Sequence, residues 1–417
     1  MGGIDLDRSI LHIDMNNFYA SVECLLNPEL RPYPVAVCGS QEERHGIVLA
    51  KNYKAKAYGV ATGEAIWQAK EKCPNLVIVP PHYGEYMKYS RKARAIYERY
   101  TDLIEPFGMD EVWADVSGSV RLLGSAEHMA DEIRQTITRE LGLTVSVGVS
   151  FNKIFAKLGS DMKKPDAVTV ISRENFRDKV WCLPASDLLG VGRATEKKLA
   201  SSGIRTIGQM AQFPVSFFKH KLGKCGVDLW RFANGLDNSQ VVVRDMEALD
   251  KTAGHGMTAL QDLENAAEVW KFILELCQDI GHRLYVFNKK ATGVAIAIRD
   301  NQLYTKQWQC GIPVSTQSPS CLAQEAFSLF QRSYDWRHPI RALTVRAIGL
   351  TSLDTPSQLD IFTDGERVAK TEALDHAIED LRRRFGKRII RNACLLDNPK
   401  MSPHGNPEII MPTGIPL

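Results

Sequence analysis

The sequence predicts an α+β fold divided into several domains, and three observations carry that prediction. At 417 residues the chain exceeds what one hydrophobic core usually organises, so two to four domains are expected. Short period-two strands and longer period-3.6 helices both recur along it. A hydrophobic share of 44% and a charged share of 24% are those of an ordinary soluble globular protein. No apolar run reaches ~18 residues, so no membrane span is expected. The start, MGGIDLDRS, has neither a signal-peptide core nor a myristoylation pattern. Nine cysteines are scattered singly without a CxxC pair, which argues against zinc sites and a disulfide framework and for a reducing cytoplasm. The net charge of +3 is too small to announce nucleic acid, so any basic footprint has to be local.

The first element is a short strand, Ser9 to Ile13, that stops at Asp14. Asn17 stands where it can cap a helix from Phe18 to Glu23. Pro34 to Gly39 and Gly46 to Ala50 read as two further strands, and Lys51 to Lys56 leads to a turn at Gly59. In PFGMDEVWADVSGS (Pro106 to Ser119), Val112, Ala114 and Val116 alternate with Trp113, Asp115 and Ser117, a strand ended by Gly118. Ala126 to Leu141 carries Met129, Ile133, Ile137 and Leu141 on one face, a helix ended by Gly142. Thr144 to Val149 is another strand. This order suggests a ferredoxin-like βαβ arrangement with acids on adjacent strands.

Asp110 and Glu111 are the focus of this arrangement. Acids beside an apolar strand cost solvation energy unless positive charge meets them, and an isolated pair would sit at a solvated hairpin tip. If the first strand shares their sheet, Asp14 joins them. Three carboxylates with no basic residue beside them in sequence suit hard divalent cations. Two such ions about 3.5–4 Å apart serve in-line phosphoryl displacement.

HIDMNNFYASVE (His12 to Glu23), GMDEVWADV (Gly108 to Val116) and SVGVSFNKIFAKLGSDMKKPDA (Ser146 to Ala167) together resemble the Y-family, or translesion, DNA polymerases, in particular the bacterial DNA polymerase IV-like branch. The likeness runs from about residue 10 to about residue 350. It implies a palm (1–17 and 83–171), inserted fingers (18–82), a helical helix–hairpin–helix thumb (172–240), an α/β little finger (241–352) and a clamp-binding motif with a C-terminal helix and tail (353–417). By the same resemblance, Asp14, Asp110 and Glu111 are catalytic and hold two Mg²⁺ ions, with Mn²⁺ as the alternative and the main-chain carbonyl of Met15 as an added ligand.

Tyr19 falls where the family places an aromatic ring beneath the sugar of the incoming nucleotide. A flat ring against C2′ leaves no room for a 2′-hydroxyl, so deoxynucleotides are selected by exclusion. Phe18, its neighbour in the nucleotide pocket, reads as core. Tyr53, Lys56 and Lys164 match triphosphate-binding positions, since a hydroxyl and ammonium groups suit phosphate oxygens. Lys153 and Lys157 read as surface residues. The chain departs from the family pattern at Asn16 (often Asp), Lys56 (more often Arg), Gly108-Met109 (commonly Ser-Ile) and Val112-Trp113 (commonly Ala-Tyr). The bulkier Trp113 should reshape packing behind the acids.

In LLGVGRATEKKLASSGIRTIGQM (Leu188 to Met210), Gly190-Val191-Gly192 opens a helix whose backbone N–H groups can meet a DNA phosphate. Arg193, Lys197 and Lys198 follow at once. Between Val191 and Gly235 eight Lys/Arg oppose two acids, a local balance of +6. This is the sought footprint, and it grips backbone without reading sequence. Trp270 to Leu284 and Ser320 to Tyr334 read as helices, and Thr292 to Arg299 and Ile340 to Leu350 as strands. Arg283, Lys289, Lys290, Arg341 and Arg346 are candidate phosphate contacts there. Gln358-Leu359-Asp360-Ile361-Phe362 resembles the bacterial sliding-clamp peptide, with Leu359 and Phe362 filling apolar pockets. Thr371 to Phe385 follows as a helix with Leu374, Ala377, Ile378, Leu381 and Phe385 on one side. From about Asn398 the chain reads as disordered.

The partners implied are primer–template DNA, a dNTP and the bacterial sliding clamp, for a cytoplasmic monomer. No proofreading exonuclease motif is visible, which with the resemblance implies uncorrected lesion bypass. Two other readings stay open on sequence: a nucleotidyl cyclase, which would share the palm but needs no basic segment or clamp peptide, and a catalytically silent, clamp-tethered DNA-binding protein.

Overall fold

The computed structural model describes residues 8–44, 46–242, 251–356, 365–386, 389–396 and 398–401. The clamp-like peptide Gln358 to Phe362 and the tail beyond Met401 lie outside them. Two compact units are present, the first built mainly from Met1–Cys38 and Ile47–Arg244, the second mainly from Asp245–Glu408. Among the described residues no helix is long and apolar enough to cross a membrane.

The first unit opens with β1 (Ile10–Met15) and α1 (Phe18–Leu26). Strand β1 runs one residue past Asp14. Asn17 occupies the cap position of α1 in a left-handed conformation (φ 49°) and makes no side-chain cap bond, so the predicted Asn17 cap is not formed. A small three-stranded sheet, ordered β3-β2-β4, follows from β2 (Val35–Cys38), β3 (Val48–Lys51) and β4 (Val77–Val79). Between β3 and β4 lie α2 (Tyr53–Ala57) and α3 (Ile66–Lys72). The Asn52 side chain caps α2 through the N–H of Ala55 and also accepts from the N–H of Val35, tying helix to sheet. The turn at Gly59 has φ 80°.

The chain then makes α4 (Tyr83–Tyr97), which apolar periodicity does not announce, and returns with β5 (Ile104–Pro106), β6 (Glu111–Asp115), α5 (Val120–Leu123), α6 (Ala126–Leu141), β7 (Val145–Ser150), α7 (Lys153–Met162) and β8 (Val168–Ile171). The five-stranded sheet runs β5-β6-β1-β7-β8, with β1 at its centre and antiparallel to both neighbours. All six residues of β1 are buried, because both of its faces are covered. Leu11, Ile13 and Met15 join Met129, Ile133 and Ile137 of α6 and Tyr86 and Ile96 of α4 in one core. Each such fully buried aliphatic side chain contributes about 1.5–3 kcal/mol. Ile10, on the other face, packs with Trp113 and with Ala156 of α7.

Strand parity therefore puts His12 and Asp14 on the α7 side of the sheet. Gly148 sets how closely α7 lies there. A Cβ at that position would stand 1.9 Å from the Ala156 carbonyl oxygen and 2.5 Å from the Ser160 nitrogen, so only glycine allows this contact.

After α8 (Phe176–Val180) come three helices, α9 (Arg193–Ala200), α10 (Ile207–Gln212) and α11 (Val215–Ala233), the last broken at Gly223 (φ 66°). Thr206 and Gln209 close a capping box on α10. The second unit is a four-stranded antiparallel sheet, β11-β10-β12-β9, from β9 (Thr252–Leu263), β10 (Lys289–Asp300), β11 (Thr305–Thr316) and β12 (Ile340–Ser352). Helices α12 (Ala266–Val286) and α13 (Pro319–Ser333) pack on it through Phe272, Ile273, Ile280, Leu322 and Phe330.

Helix α14 (Gly365–Phe385) starts earlier than expected, and its apolar side is not its packed side. Leu374 and Phe385 are 60% and 67% exposed, whereas Glu379 is buried against His282 and Arg382 donates to Gln278. In the same unit Lys290 is buried and donates to the Thr355 carbonyl, and Arg283 donates to the Gly254 carbonyl at 3.0 Å. Those two side chains are thus held by their own unit rather than presented as open phosphate contacts. Arg346 is exposed on β12.

Candidate active site

The register of β1 against β6 pairs Asp14 with Glu111, His12 with Trp113 and Ile13 with Val112. Directly paired residues share a face, so the two carboxylates stand side by side above α7. The N–H of Met15 donates to the Asp110 carbonyl at 3.0 Å, and the N–H of Asn16 to the Thr144 carbonyl at 2.9 Å. These two bonds hold the ends of three strands together. The loop before Glu111 reverses at Gly108 (φ 142°), and Ser90 of α4 donates to the Met109 carbonyl at 2.5 Å, fixing the approach to Asp110. Residues almost a hundred positions apart are thereby joined, and the solvated-hairpin alternative does not hold.

Positive charge reaches the acids from α7 and the turn beyond it. Lys164 Nζ lies 2.7 Å from Asp14 Oδ2, and Lys157 Nζ lies 2.8 Å from Glu111 Oε2 and 3.5 Å from Asp14 Oδ2. Asp161 sits between the two lysines, 3.3 Å from Lys157 and 2.9 Å from Lys164. On the inner side His12, fully buried, contacts Ser160 Oγ through Nδ1 at 2.8 Å and Glu111 Oε2 through Nε2 at 3.3 Å.

The acids respond differently to these surroundings. Burial, reinforced by the charges of Asp14 and Glu111, pushes Asp110 up to about 7. Burial and Glu111 push Asp14 up to about 6 despite the two lysines. Burial works against Glu111 as well, but the His12 contact and the Lys157 charge outweigh it and hold that carboxyl below its usual range. Burial also pulls His12 down to about 4, so its imidazole is neutral near pH 7. The Lys157 ammonium is opposed by burial yet stabilised above the ordinary lysine value by Glu111 and Asp161.

Among the described residues no group of three or more His, Cys, Asp or Glu side chains stands ready to hold a metal ion. In the acid cluster, lysine ammoniums lie against the carboxylate oxygens instead. The donor chemistry nevertheless fits hard dications. The ligating atoms would be carboxylate oxygens, and two of the three acids are forced toward protonation by burial and by the negative charge of their neighbours, which a cation would offset.

Tyr19 and Phe18 differ as expected: Phe18 is buried and Tyr19 is partly open. The Tyr19 ring stacks on Tyr86 at 4.3 Å and 9°, and its hydroxyl points to Met109 Sδ at 3.5 Å. Tyr53, at the first turn of α2, is pushed up by burial and feels both Lys164 and Asp14, so it belongs to the same charged neighbourhood. Lys56 is exposed, its ammonium 5.6 Å from the Tyr53 ring centroid. Further along, Gly190 (φ 93°) makes the bend before α9, Gly192 is its cap residue, and Arg193, Lys197 and Lys198 are all exposed.

Comparison with known proteins agrees along the chain. Residues 13–161 match the model of the impB/mucB/samB family, residues 186–237 that of the DNA polymerase-iota thumb domain, and residues 250–361 that of the impB/mucB/samB family C-terminal domain. A DNA polymerase IV of Acetivibrio thermocellus is 50% identical over 94% of this chain and 98% of its own length. The chain belongs to the Y family of DNA polymerases. DNA polymerase IV of Clostridium acetobutylicum (33% identity, 94% of this chain, 99% of that protein) and DNA polymerase IV 1 of Bacillus subtilis (34%, 95% of each) are further relatives. A solved Y-family polymerase chimera, Dbh-Dpo4(243-245)-Dbh, shares the fold with a TM-score of 0.72 over 82% of this chain and 99% of its own, at 22% identity.

Within this Y-family member two expectations from the sequence need correction. Lys157 is not a surface residue but the cation between Asp14 and Glu111. Lys153 is buried too: its ammonium lies 4.6 Å from the Trp113 ring and 2.5 Å from Glu105. For Lys157 the spacing carries a signal, since Lys157 and Asp161 stand four apart and so share a face of α7. His12 and Tyr86 carry no such signal. Trp113 accounts for Lys153, because its indole N–H donates to the Lys153 carbonyl at 2.9 Å while its ring receives the ammonium.

Proposed function

We propose that this DNA polymerase adds dNTPs to a primer 3′-hydroxyl on a template strand, with Asp14, Asp110 and Glu111 holding two Mg²⁺ ions and the Met15 carbonyl as an added ligand. The observation that supports this best is the meeting of three carboxylates at adjoining strand ends in a buried place that resists their charge. When bound, the ions supply Lewis-acid stabilisation of the attacking and leaving oxygens. The chain's own residues do the rest. Glu111, kept ionised by His12 and Lys157, and Asp14, paired with Lys164, give an anionic frame on adjoining strands. Lys164, Tyr53 and Lys56 present an ammonium, a hydroxyl and a second ammonium to triphosphate oxygens, with Lys164 moving off Asp14 to do so. Tyr19 excludes the 2′-hydroxyl.

The exposed Gly192 N–H region of α9, with Arg193, Lys197 and Lys198, grips DNA phosphates without sequence preference. The peptide Gln358-Leu359-Asp360-Ile361-Phe362 tethers the polymerase to a sliding clamp, which raises its local concentration at primer ends. Synthesis past lesions proceeds without a proofreading step. Primer extension with Mg²⁺ and dNTPs tests the core of this reading: wild type extends, and the Asp110→Ala, Glu111→Ala double variant binds the same DNA but does not. Extension by the double variant would remove the acids from the chemistry. A mismatched primer terminus that is excised rather than retained would refute the absence of proofreading.

A further inference from the structure

Glu23 is a carboxylate that the polymerisation chemistry leaves unused. It lies four residues after Tyr19 on α1, so the two side chains share a helix face, and it is only 4% exposed. A buried acid is costly unless hydrogen-bonded. The Tyr86 hydroxyl donates to Glu23 Oε1, and His82 Nδ1 lies 3.0 Å from each carboxylate oxygen. His82 and Tyr86 stand at the start of α4, so the acid pins one helix to the other.

The consequence falls on Tyr19. Its hydroxyl meets the weak acceptor Met109 Sδ, which leaves the ring held chiefly by its neighbours. Tyr86 stacks flat beneath it at 4.3 Å, and Tyr83 meets both rings edge-on, at 5.9 Å from Tyr19 and 5.8 Å from Tyr86. Stacked rings slide easily over each other, since the attraction between offset faces varies little with displacement. Tyr86 cannot slide, because it is fully buried and its far end is anchored on Glu23. A phenylalanine would fill the same space without needing a buried acid. What the hydroxyl and the acid add is a fixed position.

We infer that Glu23 and Tyr86 are positioning residues for sugar selection: the carboxylate fixes Tyr86, and the Tyr86 ring sets where Tyr19 stands against the nucleotide sugar. This rests on Tyr19 being the group that excludes the 2′-hydroxyl, so the experiment includes that residue. Single-nucleotide insertion is measured on the full chain with primer–template, Mg²⁺ and either a dNTP or the matching rNTP, giving kcat and KM for each.

Tyr19→Ala collapses the dNTP/rNTP ratio of kcat/KM. Glu23→Leu and Tyr86→Phe each lower it roughly tenfold, through faster rNTP insertion, while kcat for the dNTP stays within about threefold. Glu23→Gln, whose amide oxygen still accepts from Tyr86, keeps the wild-type ratio. The Glu23→Leu, Tyr86→Phe double variant is no worse than either single one, because both break the same link. If Tyr19→Ala collapses the ratio and Glu23→Leu and Tyr86→Phe leave it unchanged, the positioning role is wrong while the exclusion reading stands. The positioning role fails in the same way if these two variants lose dNTP and rNTP insertion in equal proportion, which is what a merely structural role would give. A ratio unchanged in Tyr19→Ala itself brings down both.

Discussion

Asp110→Asn should stabilise the metal-free protein and abolish extension together. In the folded chain the Asp110 carboxyl moves from 3.8 to about 7, chiefly through burial and then through the charges of Asp14 and Glu111. A carboxyl whose folded pKa is raised binds more protons folded than unfolded, so its contribution to stability falls as pH rises between those two values. At pH 8 the full cost of keeping it ionised is present, a ceiling of about 4 kcal/mol at ~1.36 kcal/mol per pKa unit. At pH 5 the folded carboxyl is largely protonated and the ceiling falls to about 2 kcal/mol.

An amide fills the same space without charge. Allowing for relaxation, the variant should gain roughly 1–2 kcal/mol at pH 8, a Tm rise of about 2–8 °C, and clearly less at pH 5. Calorimetry in chelator at the two pH values reads this, and primer extension reads the loss of activity. Adding Mg²⁺ should raise the wild-type Tm more at pH 8 than at pH 5 and move the variant far less. A variant with native circular dichroism whose Tm is unchanged or lower at pH 8 would refute the argument that these acids are held against their charge.

Gly148→Ala forces α7 off β7, since the added carbon would collide with the Ala156 carbonyl and Ser160 nitrogen. We expect a loss of at least about 2 kcal/mol in denaturant unfolding and slower extension, because Lys157 moves with the helix. Lys157→Met removes a cation that competes for Glu111 and Asp14. The Mg²⁺ concentration for half-maximal extension should fall several-fold, and a rise would show that Lys157 aids the ions rather than standing in for them. Replacing Arg193, Lys197 and Lys198 together by Ala should weaken DNA binding equally on unrelated sequences and reduce the log–log salt slope by about 2–3. An unchanged slope would mean α9 does not meet phosphate.

Much of the acid-bearing end of the first unit is legible in the sequence because strand parity is strict. Once Asp14 and Glu111 are placed on paired strands, their common face follows, and the helix Ala126–Leu141 with its Gly142 end announces the cover on the other side. What stays hidden is pairing between distant side chains of unlike type. Nothing in the sequence around His12 marks a buried imidazole against Glu111, and nothing marks Tyr86 as the partner of Glu23. Helix α4 is hidden for a related reason: its buried residues include Tyr86, Ser90 and Tyr97, which no apolar periodicity picks out. On α14 the apolar residues do form a stripe, yet the packed side is built by Glu379 and Arg382, whose ion pair and hydrogen bond replace apolar burial.

The lysines resolve an apparent conflict in the acid cluster. If the site receives two dications as proposed, its three carboxylates repel one another in a buried place whenever the ions are absent. Lys157 and Lys164 neutralise part of that repulsion, and Asp161 gives both ammoniums a second carboxylate within 3.3 Å. Each lysine can therefore leave Asp14 or Glu111 without becoming an unpaired buried charge, which would be the costly step. Asp161→Asn removes that alternative seat. It should leave the fold intact, since Asp161 is about half exposed, but strengthen the hold of the lysines on Asp14 and Glu111 and so raise the Mg²⁺ requirement. Lys157→Met added to Asp161→Asn should bring the requirement back down. If the double variant needs as much Mg²⁺ as Asp161→Asn alone, the two lysines are not exchanging places with the ions.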